Sequence, residues 1–288
     1  MATIFTNQAT LNYNGEQIRS NITTGSIEGV LSLTKEAIED SYRAEDTLTY
    51  VVSIVNNSDE AVTGITFTDD LGAYTFETGT VQPLSYVDAS LQYYANGVMQ
   101  NDPAADTTNG LVITGLTVPA DGNVTLIYSA QVNEFAPLGT DGEIINTVTL
   151  DGQGITPVSA SETVAVTSEA LLSILKAVTP IPVAENGELT YTFQLQNSGN
   201  TPVTEADNAT VTDTFSPALS NISVVFNGET MAEGTDYTYD ESTGVFATAD
   251  GALSIPAATY TQDTSTGAWS VTPGVSTLVI TGNIHSID

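Results

Sequence analysis

Apolar and polar residues alternate along most of this 288-residue chain with a period of two, the repeat that sends successive side chains to opposite faces of a strand. Leu48, Tyr50, Val52 and Ile54 form one inward row, and Leu189, Tyr191, Phe193 and Leu195 form another. Ile65, Phe67 and Asp69 share a face, as do Ala209, Val211, Asp213 and Phe215 after a three-residue insertion. Leu31, Leu33 and Lys35 make a shorter row, matched by Leu172, Ile174 and Lys176, and Ile144, Asn146, Val148 and Leu150 a fourth. Gly, Asn, Asp and Pro interrupt these rows at intervals of roughly 8–12 residues, the spacing of a β-sandwich rather than of parallel strands joined by helices. The Asn-Gly pairs at 96–97 and 227–228 predict hairpins, because both residue types accept positive φ. Lys35–Asp46 comes nearest to a helical period and reads as a polar loop.

The rows repeat. Residues 31–166 and 172–288 carry one pattern twice, offset by 141 (172 minus 31). Leu31-Ser-Leu-Thr-Lys35 corresponds to Leu172-Ser-Ile-Leu-Lys176, Leu48-Thr-Tyr50 to Leu189-Thr-Tyr191, and Asn56 to Asn197. The first copy closes with Asn146-Thr-Val-Thr-Leu150, a turn and Glu162–Val166, and the second copy has no such pair. A matching pair stands at the other end: Asn7-Gln-Ala-Thr-Leu11, the turn Asn14-Gly15, then Ile18–Ile27. The expected organisation is residues 1–28 as donor strands, 29–168 as a complete sandwich, and 169–288 as an incomplete sandwich that a neighbouring copy completes. Phe5, Asn7, Ala9, Leu11, Ile18 and Ile22 would enter the neighbour, adding strands to an open edge. The short linker Thr167–Leu171 argues against a molecule that closes its own second repeat. Head-to-tail exchange does not close by two-fold symmetry, so it propagates into a fibre or ring.

The repeat resembles the immunoglobulin-like "conserved repeat domain" family of bacterial surface proteins. The resemblance rests on Leu31-Ser-Leu-Thr-Lys35, Leu48-Thr-Tyr50 with Asn56-Asn57, Thr66-Phe-Thr-Asp69 (Thr210-Val-Thr-Asp213 in the second copy) and Asn146-Thr-Val-Thr149. It implies an all-β fold of two immunoglobulin-like sandwiches in tandem, used in arrays on cell surfaces, stalks or appendages, and it implies no enzymatic activity.

Composition narrows the classes. Thirty-five acidic residues against four basic ones give a net charge of −31. Nucleic acid is thereby excluded as a partner, because phosphate binding needs clustered Lys and Arg; anionic membrane surfaces are disfavoured for the same reason. An apolar content of 41% belongs to a folded chain, so the acidity reads as a solvated surface. With no cysteine, disulfides and thiolate metal sites are ruled out. No run has the length of a membrane span, and the N-terminus lacks the basic and apolar regions of a secretory leader.

Lys35 and Lys176 are the only lysines, and both fall on inward faces. A buried ammonium is costly unless paired. Asp69 and Asn146 share the first site, and Asp213 shares the second with Asn7 of the next subunit. Lysine, asparagine and a carboxyl group are the three components of a spontaneous isopeptide bond. Desolvation would free the amine to attack the Asn carbonyl while a protonated Asp polarises it. A buried Lys–Asp ion pair bonded to Asn, or lysines reaching water at a strand end, are the plainer readings. His285 stands alone and makes no metal cluster. Asp69-Asp70 and Asp207-Asn208 lack calcium-loop spacing and read as surface acidity. The five Asn-X-Ser/Thr triplets are expected by chance in a Thr-rich chain, and Trp269 suits core or interface. No cofactor or metal is expected. The resulting expectation is a non-enzymatic subunit that polymerises with itself on an extracellular cell or spore surface, as a spore appendage for instance, with any tip or anchoring subunits unspecified. The alternative is a monomeric adhesin or stalk module.

Overall fold

The structure, a computed structural model, describes residues 3–27, 29–77, 79–184 and 187–284. Among these the only helical element is a 3-10 turn at Glu205–Asp207. The chain divides into two compact units: Met1–Ala136 with Glu143–Ala165, and Pro137–Gly142 with Val166–Asp288.

A ribbon leads the chain. Strands β1 (Thr3–Asn7) and β4 (Thr23–Ile27) pair antiparallel, and β2 (Thr10–Tyr13) pairs with β3 (Glu16–Arg19). Asn14 and Gly15 turn the ribbon at φ 50° and 85°, the conformation that this dipeptide favours. The run Phe5–Leu11, expected as one strand, is interrupted. Asn7 faces Thr23 whereas Thr10 faces Arg19, so Gln8 and Ala9 oppose three residues, Ser20 to Ile22. Ser20 fills the bulge, its hydroxyl accepting from Ala9 N–H (2.9 Å) and its carbonyl from the Gln8 side chain (2.8 Å). Among the described residues these four strands pair only with one another, and Phe5, Leu11, Ile18 and Ile22 are all exposed.

The first unit continues with β5 (Leu31–Ala37), β6 (Ser41–Tyr42), β7 (Thr47–Asn56) and β8 (Val62–Asp69). Short strands follow: β9 (Tyr74–Phe76), β10 (Gly79–Val81), β11 (Leu84–Tyr86), β12 (Gln92–Ala95), β13 (Val98–Met99) and β14 (Ala105–Asp106). The long strands β15 (Leu111–Val118), β16 (Asn123–Val132), β17 (Glu143–Asp151) and β18 (Val158–Val166) complete it. One sheet runs β13-β12-β16-β7-β5 and the other β14-β15-β8-β17-β18-β6. Their facing rows, among them Leu48, Tyr50, Val52, Ile54, Ile65, Phe67, Ile144, Val148 and Leu150, are buried. The segment 35–46 is not a plain polar loop. Its start belongs to β5, and Tyr42, fully buried, carries β6 onto the edge of the second sheet.

The second unit has β19 (Leu172–Thr179), β20 (Glu188–Asn197), β21 (Thr212–Thr214), β22 (Leu219–Phe226), β23 (Glu229–Thr230), β24 (Tyr237–Asp240) and β25 (Val245–Thr248). Strands β26 (Thr259–Gln262) and β27 (Trp269–Thr272) form a separate hairpin before β28 (Gly274–Ile284). Its larger sheet, β19-β20-β28-β22-β23, follows the same path as β5-β7-β16-β12-β13 of the first unit, where β11 pairs with β16 as a sixth strand. Its smaller sheet has three strands, β21-β25-β24, where the first unit has six. Strand β8 is flanked by β15 and β17; β21 has β25 on one side and, among the described residues, nothing on the other. The fold is therefore all-β: two immunoglobulin-like sandwiches in tandem along the chain behind an N-terminal ribbon.

Candidate functional site

Strand β5 is an edge strand, and alternation places Lys35 on its inner face beside Leu31 and Leu33. Asp69 ends β8, between Leu111 of β15 and Val148 of β17. Asn146 lies two residues before Val148, hence on the same face one step along the ladder. The sandwich brings these side chains into one closed chamber. Lys35 Nζ donates to Asp69 Oδ2 at 2.5 Å, and neither side chain has any solvent exposure. Tyr128, from β16, donates its hydroxyl to the same oxygen at 2.5 Å. Leu71 N–H donates to Asp69 Oδ1 at 3.0 Å. The Lys35 ammonium sits 4.7 Å from the centre of the Tyr50 ring, which stacks on Tyr128 at 5.6 Å.

Asn146 is buried in the same wall. Its carbonyl oxygen accepts from Gly72 N–H at 3.1 Å, while its amide nitrogen has no hydrogen-bond partner; the Tyr50 hydroxyl is likewise buried and unpartnered. Each such orphan costs about 1–3 kcal/mol. Burial pushes the Lys35 ammonium below its usual range, opposed by the Asp69 charge. Burial also pushes the Tyr50 and Tyr128 hydroxyls well up. Asp70 is raised by burial against two N–H donors, those of Thr147 and Gly72. An amine, a carboxyl group, a carboxamide and two phenols thus share a space closed to water.

Three features of this chamber differ from the sequence expectation. The donor to the Asn146 carbonyl is Gly72, not Asp69. Gly72 has φ +74°, and a Cβ there would lie 2.7 Å from Ile144 Cγ2, so this position requires glycine. Tyr128 belongs to none of the rows read from the sequence, and nothing local marked it as a partner of Asp69, 59 residues away. Finally, Asp69 and Asp70 are buried and part-buried hydrogen-bond acceptors rather than surface acidity.

The second unit repeats the pair in a different setting. Lys176 Nζ bonds Asp213 Oδ2, with the rings of Tyr191, Phe193 and Phe215 at 4.7, 5.3 and 5.4 Å from the ammonium. Yet the Lys176 side chain is 41% exposed and that of Asp213 17%. Leu172, 52% exposed, stands where Leu31 is 7% exposed, and Ile174 and Leu175 are also open to solvent. The inward-facing row expected for Leu172, Ile174 and Lys176 is thus uncovered, because the sheet opposite it stops at β21. Asn7 lies in β1, opposite Thr23, whose hydroxyl donates to its carbonyl at 3.2 Å.

The remaining sequence candidates do not form sites. Asp207 caps its own turn through Thr204, and the Asn56 amide is tied to the Glu60 and Pro119 carbonyls. Trp269 opens β27, opposite Gln262. His285 lies outside the described residues. Among those described, no group of three or more His, Asp or Glu is placed to hold a metal ion, and no helix is long and apolar enough to cross a membrane.

No family model matches the chain, and no curated protein does. The family resemblance therefore stands on the quoted residues alone. Similar solved structures include the C-terminal fragment of the major pilin GBS80 of Streptococcus agalactiae, at 13% identity and a TM-score of 0.35, covering 50% of this chain and 58% of that one. The pilus backbone RrgB of Streptococcus pneumoniae gives 11% and 0.34, covering 84% and 55%. BcpA, the major pilin subunit of Bacillus cereus, gives 12% and 0.36, covering 96% and 73%. The chain spans little more than half the length of the first two. At such values the likeness carries no argument about function.

Proposed function

We propose that this protein is a structural subunit that polymerises head to tail, the leading ribbon of each copy completing the second sandwich of the next, in a fibre on an extracellular cell or spore surface. The observation that carries this reading is the contrast between two strands of matching sequence. Leu31, Leu33 and Lys35 are covered by a six-stranded sheet; Leu172, Ile174 and Lys176 face a three-stranded one and lie open. An open edge with an apolar row beside it is a template for a further strand. The ribbon supplies strands with exposed apolar side chains and unpaired outer edges. Its charges also suit a crowded acidic partner: residues 3–27 hold one Glu and one Arg, hence no net charge, in a chain of −31.

The chamber of the first unit supports an internal crosslink. Neutral Lys35 Nζ attacks Asn146 Cγ, whose oxygen is held by Gly72 N–H. Asp69 receives the proton lost by the amine and passes it to Asn146 Nδ2, which leaves as ammonia. One C–N bond forms, one breaks, and no oxidant is required. In the fibre, Lys176, Asp213 and Asn7 of the next subunit would repeat the reaction between chains. Deleting residues 2–28 is expected to abolish filaments in electron micrographs; filaments at parental yield would end the strand-donation reading. Boiling fibres in denaturant tests the covalent joint separately, since release of monomers would exclude it. A monomeric adhesin would instead elute as a single 30.1 kDa species at every concentration.

A further inference from the structure

The leading ribbon and the closing strands of the first unit share a register. In β17–β18, Glu143 faces Ala165, Ile144 faces Val164, Ile145 faces Thr163 and Asn146 faces Glu162. In β1–β4, Ile4 faces Ser26, Phe5 faces Gly25, Thr6 faces Thr24 and Asn7 faces Thr23. One displacement of 139 residues (146 minus 7, and 162 minus 23) maps every pair of the first set onto the second. Within that frame the buried pair Ile144–Val164 is rebuilt. Ile144 and Val164 are both buried, two medium side chains side by side. Their counterparts are a large ring and no side chain at all, and the ring occupies the vacant place: a Cβ on Gly25 would lie 2.4 Å from Phe5 Cζ. Volume is redistributed rather than lost, the kind of exchange a packed core tolerates.

Resting on the strand-donation reading above, we infer which residues form the joint: Phe5–Leu11 of one copy docks antiparallel on β21 of another with Thr10 opposite Thr212, and the Phe5–Gly25 pair is its specificity-determining plug. The register follows from β17 on β8, where Val148 faces Asp69, Thr149 faces Thr68 and Leu150 faces Phe67. The displacement of 139 converts the first residues to Ala9, Thr10 and Leu11. Aligning Asp69 with Asp213 converts the second to Asp213, Thr212 and Val211. Asn7 then stands toward Lys176 and Asp213 as Asn146 stands toward Lys35 and Asp69. The ribbon's bulge does not disturb this, because the extra residue lies on the outer strand, between β3 and β4.

Two experiments test the joint. Gly25→Val alone, which places a side chain under the ring, is expected to reduce filament yield at least tenfold. Phe5→Ile combined with Gly25→Val, which recreates the Ile144–Val164 arrangement, should restore it. Full assembly by the single variant, or none by the double, would overturn the plug. The second experiment mixes full-length chains bearing Thr10→Cys with chains bearing Thr212→Cys, in a protein otherwise free of cysteine, and maps the oxidised product by peptide mass. A disulfide between the two chains supports the register. Preferred linkage of Thr10→Cys to Thr210→Cys or Thr214→Cys would overturn the register and leave strand donation standing. Filaments without linkage at any of the three would overturn both.

Discussion

Lys35 and Lys176 occupy equivalent strands and bond equivalent aspartates, yet one is sealed and the other is open. Burial rather than the carboxylate partner separates them, and the proposed crosslink rests on it. An intact mass one ammonia below that of the sequence is expected for the subunit, with the deficit abolished by Asn146→Ala. Asp69→Ala would remove both the proton carrier and the counter-charge; breaking a buried pair on one side costs about 3–5 kcal/mol, readable in urea unfolding. The pH dependence has a definite sign. Lys35 is lowered in the folded state from its ordinary 10.5, so between those two values the unfolded chain binds more protons. In Asn146→Ala, where the amine stays free, stability should rise as pH climbs toward 10.5. In the crosslinked parent that rise should be missing, because an amide does not titrate there. A rise in the parent as large as in the variant would mean that no crosslink formed.

Strands were legible because a sandwich imposes a period of two on every strand, and the buried rows of β7, β8, β17 and β20 follow it with few exceptions. Turns were legible for a local reason: Asn96-Gly97 and Asn227-Gly228 adopt positive φ, as that dipeptide does in tight hairpins. Gly97→Val should therefore cost about 1–3 kcal/mol of subunit stability while leaving filament formation intact, since the turn belongs to the first unit and contributes no residue to the proposed joint. Exposure was not legible. Alternation identifies a face but not whether anything covers it, so Leu172 and Ile174 read like Leu31 and Leu33. Nor was the pairing of Gly72 with Asn146, which bridges 74 residues through the fold. Ile174→Asp separates subunit from fibre: the soluble subunit should change by less than about 0.5 kcal/mol, as exposed positions do, whereas filaments should vanish. Loss of subunit stability by several times that amount would show that β19 is covered within one molecule.

For the whole molecule the governing quantity is a charge of −31 on 288 residues. Two such bodies repel, and the repulsion is screened over about 8 Å at physiological ionic strength. Assembly followed by light scattering should accelerate as salt is raised from about 0.01 M to about 0.15 M, a range over which the screening length falls severalfold. An uncharged joint between strongly charged bodies also disfavours side-by-side contacts, so growth along one axis is expected without bundling at low salt. Thick bundles at low salt would contradict this.

The exposed ribbon has one more consequence. The chain offers trypsin-like enzymes only Arg19, Lys35, Arg43 and Lys176, and Lys35 is sealed in the core. Arg19 projects from the outer strand of the ribbon, accessible in the free molecule. A subunit that has not yet found its neighbour would be nicked in the segment it needs to join one, whereas an incorporated subunit would keep that peptide bond out of reach. Digestion at Arg19 would thus mark the unassembled pool and leave incorporated subunits uncut at that bond.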